Sequence, residues 1–144
     1  MTTVAEAHAA IKALLTANFT AIVLRFKGDS TALPDVPVAN AYVELVIEDF
    51  AYVAFGGGRG GNLIRTNGRI EAQVMQPTGS GAAGVAEALQ WGEDIAAVFT
   101  GQRTTSPEID YGAAQVIPAN GRSEDGTCDH ICTVICDLQF DKTG

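Results

Sequence analysis

Residues 63–101 read LIRTNGRIEAQVMQPTGSGAAGVAEALQWGEDIAAVFTG and divide into an alternating strand, a Pro/Gly/Ser turn and a helix. Ile70, Ala72 and Val74 fall on one face and Arg69, Glu71 and Gln73 on the other. That is the period of two of a sheet with one buried and one wetted side. Antiparallel sheets wear this pattern, whereas buried parallel strands read as continuous apolar runs. Pro77, with no N–H for a ladder, ends the strand. The Thr78-Gly79-Ser80-Gly81 run offers turn backbone and capping hydroxyls, so a helix is expected to start near Gly81 or Ala82. Val85, Ala88, Leu89, Ile95, Ala96 and Phe99 then recur at the spacing of one apolar stripe, with Glu87, Gln90, Glu93 and Asp94 mostly off it. Gly84 and Gly92 each cost this helix roughly 1 kcal/mol against Ala. The element therefore relies on packing, and close backbone approach at those glycines is one way to obtain it. Gly101 is a natural stop.

Working outward, Thr3 and Glu6 fit a capping box. Val4, Ala7, Ile11, Leu14, Leu15 and Phe19 make the stripe of a first helix to about residue 18. Ala21–Phe26 reads as a short strand, followed by a loop containing Pro34 and Pro37. Tyr42–Phe55 is a long strand whose partner is Leu63–Met75, joined through Phe55-Gly-Gly-Gly-Arg-Gly-Gly-Asn62, a run too glycine-rich to hold one conformation alone. On the other side of the central stretch, Gln102–Asp110 is polar, contains Pro107 and reads as a loop. Tyr111–Pro118 reads as a short strand, and Asn120–Gly126 as a turn. In the last strand Cys132, Val134, Cys136, Leu138 and Phe140 alternate with polar neighbours, so the even-numbered face is expected inward. The fold expected is a single α+β domain over residues 1–144: a mostly antiparallel sheet with a long hairpin, packed against two amphipathic helices.

The totals narrow the function classes. At 144 residues one domain can bury on the order of 68% of its unfolded surface without a staple. Charged residues make up 18% against a usual ~25%, a hint of subunit contacts. A net charge of −8 and a pI near 4.5 argue against a phosphate-binding surface over the whole domain. No apolar run reaches the ~18 residues of a membrane span, and the N-terminus reads as an amphipathic helix rather than a signal peptide. Three cysteines near the C-terminus do not make a secreted disulfide framework, which points to assembly in a reducing cytoplasm.

Candidate chemistry is sparse. Gly79-Ser80-Gly81-Ala82-Ala83-Gly84 matches GxGxxG between a strand and a helix. A dinucleotide site, however, needs an apolar parallel strand before it and an acidic strand end about 20 residues after it. The plainer reading is a strand-to-helix turn. Cys128, Cys132 and Cys136 with His130 suggest a metal, but in an extended segment Cys132 and Cys136 lie roughly 13 Å apart. They read better as small apolar core residues. His8 reads as a packing or surface histidine. Arg59, Arg65 and Arg69 either form an anion-binding hairpin or run along the wet face of the sheet as solvated cations. No Ser-His-Asp arrangement, carboxylate pair or Walker loop is visible. No catalytic, cofactor-binding or metal-ligating residue is assigned, no cofactor is expected, and the chain is not expected to be an enzyme.

Residues 65–81, RTNGRIEAQVMQPTGSG, followed by the amphipathic helix to Phe99, resemble the tail-terminator family of long-tailed bacteriophages and related particles. The N-terminal helix before the first strand and the alternating C-terminal strand fit as well. What the resemblance implies is a homohexameric ring that caps the tail tube, stops its elongation and joins it to the head or neck. Its partners would be copies of itself, the tail-tube protein and a neck or head-completion protein, with DNA passing through without tight binding and no membrane involved. It would reside in the virion after assembly in the bacterial host cytoplasm. Gly57, Gly58, Arg59, Gly60 and Arg65 are the candidate protein-contact residues of the hairpin. The chain departs from the family in the glycine-rich tip, Gly56–Gly61, and in the cysteine-bearing last strand. The alternatives are a head-completion or neck connector or a tail-tube protein, and, further off, a nucleotide-binding enzyme using Gly79–Gly84.

Overall fold

The computed structural model describes residues 3–26, 41–55, 63–105, 107–122 and 126–143. Helix α1 (Val4–Asn18) is followed by strands β1 (Val23–Phe26), β2 (Tyr42–Phe55) and β3 (Leu63–Pro77), helix α2 (Gly81–Phe99), and strands β4 (Arg103–Thr105), β5 (Glu108–Tyr111), β6 (Gln115–Arg122) and β7 (Cys128–Thr143). The strands form one seven-stranded sheet in the order β1-β2-β3-β7-β5-β4, with β6 also paired to β7. Every described pairing is antiparallel except β1 with β2. The expected α+β architecture is therefore the observed one.

Two long ladders build the centre. The β2–β3 hairpin runs from Tyr42 opposite Met75 to Phe55 opposite Leu63, with one register shift between Glu48 and Ala51. β3 is paired over its whole length on its other side, from Leu63 opposite Thr143 to Pro77 opposite Cys128. The second edge of β7 is shared: β6 pairs with its first half, and β5 meets it at Leu138 and Gln139.

Register turns sequence alternation into one apolar face. Val43 lies opposite Val74 and Val74 opposite Cys132; Leu45 lies opposite Ala72 and Ala72 opposite Val134. All of these are buried in one core cluster with Ile11, Leu15, Ile95 and Phe99 from the helices. Burial of apolar area of this kind contributes about 25 cal/mol per Å². The even face of β7 is inward from Cys132 to Phe140, as the alternation requires. Below Cys132 a bulge intervenes: Val74 faces Cys132 but Met75 faces His130, so Ile131 is the extra residue. An inserted residue turns the following side chains to the opposite face. Cys128 accordingly leaves the main core and joins a small second cluster with Tyr42 and Met75.

Both helices behave largely as their patterns require. Thr3 and Glu6 form the reciprocal capping box, with Thr3 N donating to Glu6 Oε2 at 3.0 Å and Glu6 N to Thr3 Oγ1 at 3.1 Å. α1 buries Ala7, Ile11 and Leu15. α2 starts at Gly81 after a turn in which Gly79 and Gly81 both have positive φ, a conformation that glycine adopts without steric penalty. The capping hydroxyl expected of Ser80 is not used: its side chain donates to the Pro77 carbonyl instead, and the Ser80 backbone is itself helical. At Gly92 the helix touches the sheet, and a Cβ there would lie 2.9 Å from Cys132 Sγ and 3.1 Å from Val116 Cγ1. The approach served by this glycine is thus to the chain's own sheet. At Gly84 a Cβ would collide with that of Ser80 in the first turn.

Three sequence expectations are corrected. Gln102–Asp110 is not a loop: Arg103–Thr105 and Glu108–Tyr111 pair as an antiparallel hairpin. Ile109 and Tyr111 are buried there, Tyr111 stacked on Phe99 at 5.7 Å between ring centroids, so two apolar anchors outweigh the polar composition around Pro107. The Tyr111–Pro118 strand is in fact the end of β5 and the start of β6, separated at Gly112–Ala114, where Gly112 N still donates to Asp137 O at 2.8 Å. β6 extends to Arg122, into the segment read as a turn. Pro118 is tolerated there because β6 is paired on one side only among the described residues, the setting in which a strand accepts proline.

Candidate functional site

The polar face of the sheet, opposite the helices, carries the most organised chemistry. Register sets Arg65 opposite Asp141, Asn67 opposite Gln139 and Arg69 opposite Asp137. Directly opposed residues on one face are close enough to interact, and here they form a ladder. Arg65 Nε donates to Asp141 Oδ1 at 3.0 Å and Arg65 Nη2 to Asp141 Oδ2 at 3.3 Å, a forked contact. That hydrogen bonding raises the Arg65 pKa further, outweighing the effect of desolvation. Arg69 Nε lies 3.5 Å from Asp137 Oδ1, and its Nη1 lies 4.0 Å from Glu71. One strand further out, Arg103 Nε meets Asp110 Oδ1 at 2.8 Å.

Of the two readings of Arg65 and Arg69, an anion-binding hairpin or cations along the wet face, the second describes their surroundings, with carboxylates as neighbours. Gly57, Gly58, Arg59 and Gly60 lie outside the described residues. The carboxylates at 110, 137 and 141 were not singled out from the sequence. Alternation alone places Asp137 and Asp141 on the odd face of β7, but only the β3–β7 register reveals which arginine each one meets.

Between these ion pairs lies a shallow trough of about 560 Å³. Gly68, Gly112 and Leu138 line it together with Asn67, Arg69, Asp110, Asp137 and Gln139.

The remaining sequence candidates are accounted for locally. Gly79–Gly84 follows a strand paired antiparallel on both sides, and the Ser80 N–H is already bonded to Pro77 O at 3.2 Å. Cys132 and Cys136 are buried free thiols whose pKa burial pushes up to about 11. They donate to Ala88 O at 3.7 Å and Gly112 O at 3.6 Å. A thiol held protonated in this way is a poor nucleophile at neutral pH. His130 Nε2 sits 3.1 Å from Cys132 O and 2.8 Å from Thr133 Oγ1. The pKa of His8 is lowered, first by burial and then by Lys12. No group of three or more metal-ligating side chains occurs among the described residues. No described helix is long and apolar enough to cross a membrane.

No protein-family model matches the chain, and no curated protein matches it. Among solved structures, it is similar to a protein that carries a serial designation as its name, with a TM-score of 0.54 at 14% identity over 95% of each chain. At that identity the likeness is one of fold: nearly the whole chain shares a small α+β architecture with this neighbour.

Proposed function

We propose that the protein is a phage tail terminator, a ring-forming structural protein that caps the tail tube, stops its growth and joins it to the neck. The observation that carries this reading is the way residues 65–99 fold. The stretch that resembles the family becomes the second strand of a long hairpin, a tight Gly79–Gly81 turn and a helix packed on the sheet. A helix precedes the first strand and β7 is the last, longest strand, an element order that supports the resemblance.

The electrostatics fit a conduit. Arg65, Arg69, Arg103 and Arg122 each lie within ion-pair distance of a carboxylate, in a chain of net charge −8. Repeated around a ring, acidic subunits repel a phosphate backbone, so DNA slides through without adhering. The protein is not proposed to be an enzyme, and the Gly79–Gly84 turn is proposed to be structural.

The test is to add the purified protein to polymerising tail-tube protein and to image the tubes by electron microscopy. Tubes of arrested length with one ring at one end are expected. Incorporation along the tube wall would instead make the chain a tube protein, and binding only to heads a completion protein. Calorimetry with NAD, FAD and ATP is expected to show no binding, and micromolar affinity for any of them would revive the enzyme reading.

A further inference from the structure

We propose that Asn120, in the bulge of β6, is a site of spontaneous deamidation, whereas Asn67, which is also followed by glycine, is protected by the fold. The inference stands apart from the ring reading, since it needs only the folded chain and water.

The chemistry belongs to the Asn-Gly pair, which occurs twice, as Asn67-Gly68 and Asn120-Gly121. The glycine amide nitrogen attacks the side-chain Cγ of the asparagine. A C–N bond forms and the ring closes as a succinimide, while the side-chain nitrogen leaves as ammonia, taking up the amide proton. Water then opens the ring at one carbonyl to give aspartate or at the other to give isoaspartate. No oxidant or cofactor takes part. A following glycine favours the attack, because it has no Cβ to crowd the nitrogen and its backbone turns freely.

Ring closure needs the two atoms in contact. An extended residue holds them apart, because its side chain stands roughly perpendicular to the sheet while the next amide lies along the strand. The asparagine must therefore turn out of its ladder. At Asn67 the ladder is double: Asn67 lies opposite Ala51 of β2 and Gln139 of β7, and Gly68 lies opposite Leu138. Turning there breaks the centre of the sheet, and openings of core strands cost close to the full stability. Both asparagines are exposed, so solvent access does not distinguish them.

At Asn120 the ladder is already interrupted. Pro118 lies opposite Cys132 and Gly121 opposite His130, so Ala119 and Asn120 together face the single residue Ile131. Two residues against one is the count of a β-bulge, which leaves a residue without its place in the ladder and bends the strand. β6 is paired on one side only among the described residues, and it ends at Arg122. Gly121 is exposed, whereas Gly68 is buried. Edge, bulge and strand end all lower the cost of a local opening. Isoaspartate carries the main chain through its former side chain, so it lengthens β6 where the strand already holds an extra residue.

The experiment incubates the folded full chain at mildly alkaline pH and follows each asparagine by peptide mass mapping, with isoaspartyl methyltransferase labelling to separate isoaspartate from aspartate. Asn120 is expected to convert at least tenfold faster than Asn67. In guanidinium chloride, where the sheet is lost, the two are expected to convert at similar rates. In Gly121→Ala the added Cβ would lie 3.6 Å from His130 Cβ, an ordinary contact. That variant is therefore expected to melt as the parent does while conversion at Asn120 falls at least tenfold. Equal rates at the two sites in the folded chain, an intact Asn120 over a time that converts both sites in denaturant, or a folded Gly121→Ala chain that converts as fast as its parent would overturn the proposal.

Discussion

Gly92 of α2 stands so close to Cys132 of β7 that a methyl group on the glycine would come within 2.9 Å of the sulfur. Gly92→Ala gains about 1 kcal/mol of helix propensity but overpacks a site where insertions cost about 1–3 kcal/mol. A net loss of stability is expected in urea unfolding. Cys132→Ala should relieve the clash, so the double variant should be less destabilised than the sum of its singles. Additive costs would show that the helix simply shifts.

Among the described residues, two buried hydroxyls, Thr66 Oγ1 and Tyr111 OH, have no hydrogen-bond partner. A buried unsatisfied group costs about 1–3 kcal/mol. Thr66→Val keeps the shape and the β-branched side chain, and it is expected to stabilise the fold by about 1 kcal/mol; Tyr111→Phe should act in the same direction. A lower melting temperature for both would mean that these hydroxyls do find partners in solution.

Alkaline pH should unfold the chain early. Burial raises the pKa of Cys132 and Cys136 from 9.0 to about 11 and that of Tyr111 from 10.0 to about 12. Above pH 9 the unfolded chain releases protons that the folded chain keeps, so stability is full below that value and falls progressively toward pH 12. Denaturation midpoints taken from pH 8 to pH 11 check this. Cys136→Ala should flatten part of the slope, and a midpoint constant to pH 11 would contradict the burial of these groups.

DNA should not be retained. With Arg65 and Arg69 paired to Asp141 and Asp137, a phosphate would have to displace a carboxylate at each arginine. Fluorescence anisotropy with a labelled duplex at low salt is expected to show no saturable binding. Binding that falls steeply with salt, the signature of counterion release, would mean that the ladder opens and exposes a basic patch. Exposed ion pairs of this type contribute at most about 1 kcal/mol to stability, so Asp137→Asn should leave the melt almost unchanged while weakening any repulsion of DNA.

Much of this fold was legible one element at a time, because burial on one side leaves a period in the residues. Alternation marked β3 and β7, the three-four spacing marked both helices, and Thr3 with Glu6 fixed the start of α1, since each is a relation between near neighbours in sequence. The hairpin at Arg103–Tyr111 was not legible, because its two short strands are held by Ile109 and by Tyr111 against Phe99, contacts that composition around Pro107 does not show. Nor was the ionic ladder: the sequence by itself put Arg65, Arg69, Asp137 and Asp141 on wet faces of two strands some seventy residues apart. Only the antiparallel register of β3 on β7, and the bulge at Ile131, decided that those charges meet and that Cys128 turns away from the other two cysteines. A slip of one residue would have moved every partner to the opposite face, and no local pattern encodes which of two long strands gives way by one.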